Sequence, residues 1–165
     1  VLVLGVDPGT ATTGYGLIQE DAGGELQLLR FGVFETRADE PMPVRLQSLH
    51  QDLSAVIRLT RPDEMAVEEL FFSRNVTTAL SVGQARGVVL LAAAQAGLPV
   101  YEYKPAQVKQ ALVGYGRAGK AQMQEMVRMM LGLSEVPRPD DAADAIAVAI
   151  CHLHSQRLHQ LIAGE

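Results

Sequence analysis

Val1-Leu2-Val3-Leu4-Gly5-Val6-Asp7-Pro8-Gly9-Thr10 opens the chain and decides its fold class. Unbroken apolarity over so few residues suits a strand buried on both faces, and Pro8-Gly9 ends it. Residues 14–19 and Leu26–Glu35 read as two more strands, joined across the polar turn Asp21-Ala22-Gly23-Gly24, so the first three form an antiparallel meander. Over residues 41–59, Val44, Leu46, Leu49, Leu53, Val56 and Ile57 recur at helical spacing until Arg61-Pro62 stops them. Met65-Ala66-Val67 is a short buried strand ending in Glu68-Glu69. Residues 75–96 form a helix rich in small side chains, closed by Gly97 with Pro99 just beyond. A fifth strand over 98–103, helices over 105–113 and 120–131, and a last helix over 141–158 behind Pro139 complete the chain. This order predicts an α/β sandwich, one domain over 1–165, with a mixed five-stranded sheet flanked by helices. The strands ending at Asp7 and Glu68 share one edge of that sheet, and ligands of open sheets gather at such edges.

Composition supports a folded core. The chain has 165 residues, 48% of them hydrophobic and 20% charged, which argues against disorder and against a coiled coil. Cys151 is the only cysteine, which excludes an internal disulfide and suits a reducing compartment. No basic stretch precedes the apolar opening run, so a signal peptide is not expected, and the missing initiator Met fits trimming. The uncharged run over residues 87–101 is shorter than the ~20 residues needed to cross a bilayer, so no membrane partner is expected.

Nineteen acids against 14 bases give a formal charge of −5, which at first sight argues against a nucleic-acid partner. Its distribution reverses that. Residues 1–69 carry −7 and residues 125–165 carry −3, whereas residues 70–124 carry +5 from Arg74, Arg86, Lys104, Lys109, Arg117 and Lys120 against Glu102. A basic middle between acidic ends is the asymmetry expected when one surface meets a polyanion, although ordinary solvated surface gives the same counts.

Four acids carry the chemistry. Asp7 closes a six-residue apolar run, where an unpaired carboxylate is costly, although a turn aspartate capping Pro8-Gly9 is the plainer reading. Glu68 ends a second buried strand, and periodicity alone does not choose between it and Glu69. Asp141 and Asp144 lie three apart and project from one helix face among Ala142, Ala143, Ala145, Ile146 and Ala147. The helix dipole explains acids at Asp140 and Asp141, but it explains Asp144, a turn further in, poorly. If these elements pack together, the carboxylates converge with no Lys or Arg nearby in sequence. Hard divalent cations do that work: Mg²⁺ takes oxygen ligands and substrate phosphate, and two such ions on a phosphodiester activate water and stabilise the leaving oxygen.

These residues resemble the RuvC family of Holliday-junction resolvases, within the RNase H-like superfamily. The matching segments are Gly5-Val6-Asp7-Pro8-Gly9, Gly14-Tyr15-Gly16, Ala66-Val67-Glu68 with Phe71, Gly83-Gln84-Ala85-Arg86-Gly87, Gln107-Val108-Lys109-Gln110, Lys120, and Asp141-Ala142-Ala143-Asp144-Ala145. The resemblance implies a homodimeric endonuclease that nicks four-way junction DNA symmetrically in two strands of like polarity. The ends would be 5′-phosphate and 3′-hydroxyl, in the service of homologous recombination and repair. It implies Asp7, Glu68, Asp141 and Asp144 as ligands of two Mg²⁺ per active site, with Mn²⁺ as a substitute, and so selects Glu68 over Glu69. Lys120 would be catalytic. Phe71, Arg74, Lys109 and Lys120 would touch DNA, Phe71 by stacking on an opened base, a contact worth roughly 1–3 kcal/mol. A bacterial cytoplasmic location and a RuvA–RuvB branch-migration partner follow from the same resemblance.

Residues 75–96 resemble the family's dimer helix. Glu69 and Asp140 place extra negative charge beside the ligands, and no basic cluster marks residues 161–165. His152 and His154, two apart and divergent on a helix, read with His159 as surface residues rather than metal ligands. A competing reading is a single-domain relative of the actin, Hsp70 and sugar kinase ATPases, because Asp7-Pro8-Gly9-Thr10 before Gly14 resembles their phosphate loop. Those proteins enclose ATP between two such domains, and 165 residues supply one. A third is a non-catalytic DNA-binding scaffold, against which the four acids stand.

Overall fold

Strands β1 (Leu2–Asp7), β2 (Thr12–Glu20), β3 (Leu26–Glu35), β4 (Glu64–Glu68) and β5 (Val100–Tyr103) form one sheet in the spatial order β3-β2-β1-β4-β5. The structure, a computed structural model, describes residues 1–69 and 75–164. Phe71 and Arg74 lie outside the described residues. The β1–β2 and β2–β3 pairs are antiparallel, and β1–β4 and β4–β5 are parallel. Among the described residues the helices are α1 (Met42–Thr60), α2 (Val76–Gln95), α3 (Pro105–Val113), α4 (Lys120–Met130) and α5 (Asp140–Ala163).

Strand alternation divides the molecule into two cores. Leu4 and Val6 of β1, with Met65 and Val67 of β4, pack with Leu49 and Leu53 of α1 and Ala85 and Val89 of α2. Val3 and Ala66 face the other way, onto Val108 of α3, Val127 of α4 and Ile146 and Ile150 of α5. Full burial of each large aliphatic side chain here contributes about 1.5–3 kcal/mol. The sheet is therefore sandwiched, with α1 and α2 on one face and α3, α4 and α5 on the other.

The α5 face of β1 and β2 has no side chain where the helix crosses. A Cβ at Gly5 would lie 2.1 Å from the Ala145 carbonyl oxygen, and one at Gly16 would lie 2.4 Å from Ile146 Cγ1. Glycine is required at these positions because α5, by its backbone at Gly5 and by the Ile146 side chain at Gly16, occupies the space a side chain would need.

Most element ends shift by one or two residues, each for a local reason. β2 starts at Thr12, since Thr12 and Thr13 pair with Glu35 and Phe34. β5 starts at Val100 because Gly97, at φ 66°, and the bond from Leu98 N–H to the Ala93 carbonyl finish α2. α5 runs to Ala163, since no glycine or proline interrupts it before Gly164.

The surface expectation for His152 is corrected: it is fully buried. The α5 residues Ala142, Ala145, Ala149 and His152 follow the helical period along the buried side. His152 Nε2 lies 2.6 Å from Glu64 Oε2, its Nδ1 lies 2.7 Å from Tyr103 Oη, and its ring centroid is 4.5 Å from that of Tyr101. His154 is half-buried and His159 exposed.

Asn75 caps α2, accepting from Thr77 and Thr78 N–H, and Arg86 pairs with Glu102. Among the described residues α2 is the one helix long and apolar enough, by length and composition, to cross a membrane. Counting only uncharged residues underrates it, because Arg86 is its single charge. Val76, Leu80 and Leu91 on α2 are each more than half exposed.

Replacing Gly5 by Ala is expected to push α5 off β1 and cost at least the 1–3 kcal/mol typical of overpacking, roughly. Urea unfolding of the two proteins measures it; a midpoint unchanged within error would contradict the contact.

Candidate metal centre

Asp7 is the last residue of β1, and alternation places it with Val3 and Gly5 on the α5 face. On β4 the same alternation sends Met65 and Val67 to the opposite core and Glu64, Ala66 and Glu68 towards α5. Glu69 lies beyond the strand, its N–H donating to the Tyr103 carbonyl. The pleat thus separates Glu68 from Glu69, a choice that hydrophobic periodicity left open.

α5 brings the remaining acids. Gly14 is the cross-strand partner of Asp7, and a Cβ on it would sit 1.9 Å from the Asp141 carbonyl oxygen. Because the helix rests there on bare backbone, Asp141 and Asp144 reach the end of β1. One carboxylate oxygen from each of Asp7, Asp141 and Asp144 lies within 4.8 Å of the others. Glu68 stands outside that group of three and joins it through a hydrogen bond with the Asp7 carboxyl.

The electrostatics follow from that crowding. Burial, reinforced by Glu68, Asp144 and Asp141, pushes the Asp7 carboxyl up to about 8, so at neutral pH it is the protonated partner in the bond to Glu68. Burial also raises Glu68, with Asp144 adding to the effect and Asp7, Lys109 and Lys120 opposing it. Asp144 rises for the same reason, burial, against the pull of Lys120. The burial that makes Asp7, Glu68 and Asp144 resist ionisation is what a hard divalent cation relieves, and carboxylate oxygens are the donors such an ion takes.

Two features were invisible in the sequence. Lys120, the first residue of α4, lies 3.5 Å from both Asp140 and Asp144. Burial lowers its ammonium, but the two carboxylates outweigh that and hold it above its ordinary value. The expectation that no cation stands near the acids fails along the chain, where Arg138 is three residues before Asp141, and in space, where Lys120 meets Asp144. Asp140 does add negative charge beside Asp144, as expected, but it has partners of its own. It accepts from Gln124 at 3.0 Å and from Arg138 at 2.6 Å, which keeps its carboxyl below the usual range. The one sequence signal was Arg138 two residues before Asp140.

Beside the carboxylates opens a recess of about 290 Å³, bordered by Glu68, Asp144, Lys109 and Lys120 over Pro105, Val108, Ala118, Met123 and Ala147. Lys109 and Lys120 are thereby brought to one site.

A mixed five-stranded sheet with Asp7 and Glu68 at the ends of its central parallel strands, met by Asp141 and Asp144 from α5, is an arrangement that can hold a divalent cation. A family profile described as crossover junction endodeoxyribonuclease RuvC matches residues 3–152. A crossover junction endodeoxyribonuclease RuvC from Desulfitobacterium hafniense is 60% identical over 164 residues, 99% of both chains, and one from Chloroflexus aggregans is 62% identical over 152 residues, 92% of both. The solved Thermus thermophilus RuvC matches with a TM-score of 0.90 at 43% identity, over 96% of this chain and 97% of that one. A second structure, T. thermophilus RuvC in complex with Holliday junction substrate, matches at 0.88 and 40%, over 96% of each chain. The chain belongs to the RuvC family of crossover junction endodeoxyribonucleases, and it is an enzyme of the nuclease class.

Removing the Asp7 charge should stabilise the metal-free protein in a pH-dependent way. With its carboxyl raised from 3.8 to about 8, the folded state holds a proton that the unfolded state has lost, so stability falls as pH rises through that window. Asp7→Asn is expected to exceed the parent by on the order of a few kcal/mol above pH 8, with the gap closing near pH 4. Urea titrations in chelator at both pH values measure this; an equal gap at both would contradict the assignment.

Proposed function

We propose that the chain is a junction-resolving endonuclease that binds four-way DNA junctions as a homodimer and nicks two strands of like polarity symmetrically. The observation that carries this reading is the Asp7, Asp141 and Asp144 cluster, whose ligand atoms lie within 4.8 Å, in a chain 40% identical to the T. thermophilus protein solved on a Holliday junction. Asp7, Glu68, Asp141 and Asp144 would hold two Mg²⁺, with Mn²⁺ as a substitute. When bound, the ions supply an activated water and charge stabilisation at the leaving 3′ oxygen, so the ends are 5′-phosphate and 3′-hydroxyl.

The chain's own residues do the rest. For Asp7 to serve as an anionic ligand beside Glu68, its proton would have to pass to solvent when an ion binds. Lys120, steered by Asp140 and Asp144, holds positive charge where the phosphate being cut gathers negative charge. Lys109 at the recess and Arg74 take neighbouring phosphates, a sequence-independent contribution to affinity. Phe71 stacks on an unpaired base at the opened junction centre. Residues 1–165 act as one domain.

The outer face of α2 supports the homodimer. Val76, Leu80 and Leu91 are exposed, and a side chain at Gly87 would meet nothing within 4 Å, so a second copy's helix has room to approach closely. Burying each such leucine is worth about 1.5–3 kcal/mol. This explains why a helix of a DNA enzyme is apolar enough to pass for a membrane span. We place the enzyme in the bacterial cytoplasm, in recombination and repair, working with a RuvA–RuvB branch-migration complex. The ATPase alternative is not favoured, because the family profile spans residues 3–152.

Asp7→Asn is expected to bind a synthetic four-way junction as the parent does while losing at least ~100-fold in nicking, and undiminished nicking would refute the mechanism. Lys120→Ala should slow cleavage by about 10²-fold or more with the dimer intact; normal single-turnover kinetics would return Lys120 to ordinary surface. Leu80→Glu should yield monomers in sedimentation velocity, and a persistent dimer would exclude α2 as its seat.

A further inference from the structure

The turn between β1 and β2 carries Asp7 at its head, and it is held by threonines that touch no carboxylate of the cluster. Inside the turn, Thr13 Oγ1 donates to the Gly9 carbonyl at 2.6 Å and accepts from Gly9 N–H at 3.2 Å. A Cβ at Gly9 would sit 2.3 Å from the Thr12 carbonyl oxygen, so the turn closes too tightly for a side chain there. Outside the turn, the Ala11 carbonyl accepts from Thr36 N–H at 3.0 Å, and buried Thr10 makes the remaining connections. Thr10 Oγ1 donates to the Ser81 carbonyl of α2 at 2.7 Å and lies 2.5 Å from Ser81 Oγ. The Thr10 carbonyl accepts from Thr36 Oγ1 at 2.5 Å, and Thr36 Oγ1 in turn accepts from Arg45 Nε of α1 at 2.9 Å. Among the described residues the Thr10–Ser81 pair supplies the only hydrogen bonds between this turn and α2.

The position matters because a metal site needs Asp7 to keep its place beside Asp141 and Asp144, whose ligand atoms lie within 4.8 Å of its own. Asp7 ends β1, so its strand end can shift only as far as the following turn allows. α5 holds the other side through Gly5, Gly14 and Gly16. On the side facing α2, the hydroxyl of Thr10 is the restraint. We infer that Thr10 is a positioning residue for the metal centre, its hydroxyl fixing the β1–β2 turn against α2 so that Asp7 keeps its distance from the other ligands. The inference rests on the metal reading above and extends it: the helix proposed to seat the second copy also braces the turn that follows the first ligand, through the Thr10–Ser81 pair.

The test separates the hydroxyl from the shape of the side chain. Thr10→Val keeps the branched volume and removes the donor, whereas Thr10→Ser keeps the donor. Mn²⁺ binding to the purified, DNA-free protein is followed by electron paramagnetic resonance, and amide hydrogen exchange is followed across residues 8–13. Thr10→Val is expected to weaken Mn²⁺ binding about 10-fold, the lower end of the loss seen when a partner behind a metal ligand is removed, and to speed exchange in the turn. Thr10→Ser should restore both, and metal-free junction binding should be the same in all three proteins. Parental Mn²⁺ affinity in Thr10→Val overturns the inference, as does equal weakening in Thr10→Ser. If the unaltered chain binds no Mn²⁺, the metal reading itself fails and this inference goes with it.

Discussion

Everything at this site depends on how closely one helix can lie on one sheet. The backbone of α5 rests on β1 and β2 because Gly5, Gly14 and Gly16 leave no side chain in its way, and the Asp141 carbonyl sits where a Gly14 methyl would be. That contact delivers Asp141 and Asp144 to Asp7. The approach is opposed electrostatically, since burying several carboxylates together raises the free energy of each ionised form, and Asp7 records this with a carboxyl displaced to about 8. The packing of two cores on either face of β1 outweighs that opposition. Apolar burial thus holds in place a cluster that charge alone would disperse, and a cation converts the strain into coordination.

Charge around the cluster is arranged on two scales. Close in, Lys120 leans on Asp140 and Asp144, while Arg138 and Gln124 occupy Asp140, so the lysine is steered without being neutralised by a single partner. Farther out, the chain confines its net positive charge to residues 70–124, the stretch that contains Lys109 and Lys120. Setting four of the 19 acids aside as ligands leaves 15 against 14 bases. With those four acids balanced by the proposed cations the net charge would be −1, so the positive charge available to a polyanion is local to residues 70–124 and not a property of the whole chain.

Much of this was legible in the residues, and what was not had physical causes. The six-residue apolar opening, the turn glycines and the helical spacing before Arg61-Pro62 fix element type, because burial pattern and backbone freedom are local properties. The Asp141 and Asp144 pair could be read because helical spacing converts sequence distance into a shared face. Glu68 over Glu69 was not readable by periodicity. It needs the register of β4 against β1, a non-local fact. His152 was misjudged for a related reason: a polar residue two from another polar residue looks like surface until the partners Glu64 and Tyr103, 88 and 49 residues away, are known. Lys120 and Asp140 form a pair 20 positions apart, and Thr10 reaches Ser81 across 71. Pairwise contacts between distant segments leave no periodic trace.

The alternation of β1 and β4 has an evolutionary consequence. Even-numbered residues of β1 and odd-numbered residues of β4 fill one core, while the complementary set faces α5 and includes Asp7 and Glu68. Chemistry and packing are interleaved along the same six- and five-residue segments, one residue apart. A single-codon insertion within either strand would turn its acid into the aliphatic layer and put the preceding valine, Val6 or Val67, in its place. These two strands therefore tolerate substitution far better than any change of length. Length variation in descendants of this chain is expected at the turns and helix ends, where a residue more or less leaves the pleat in step.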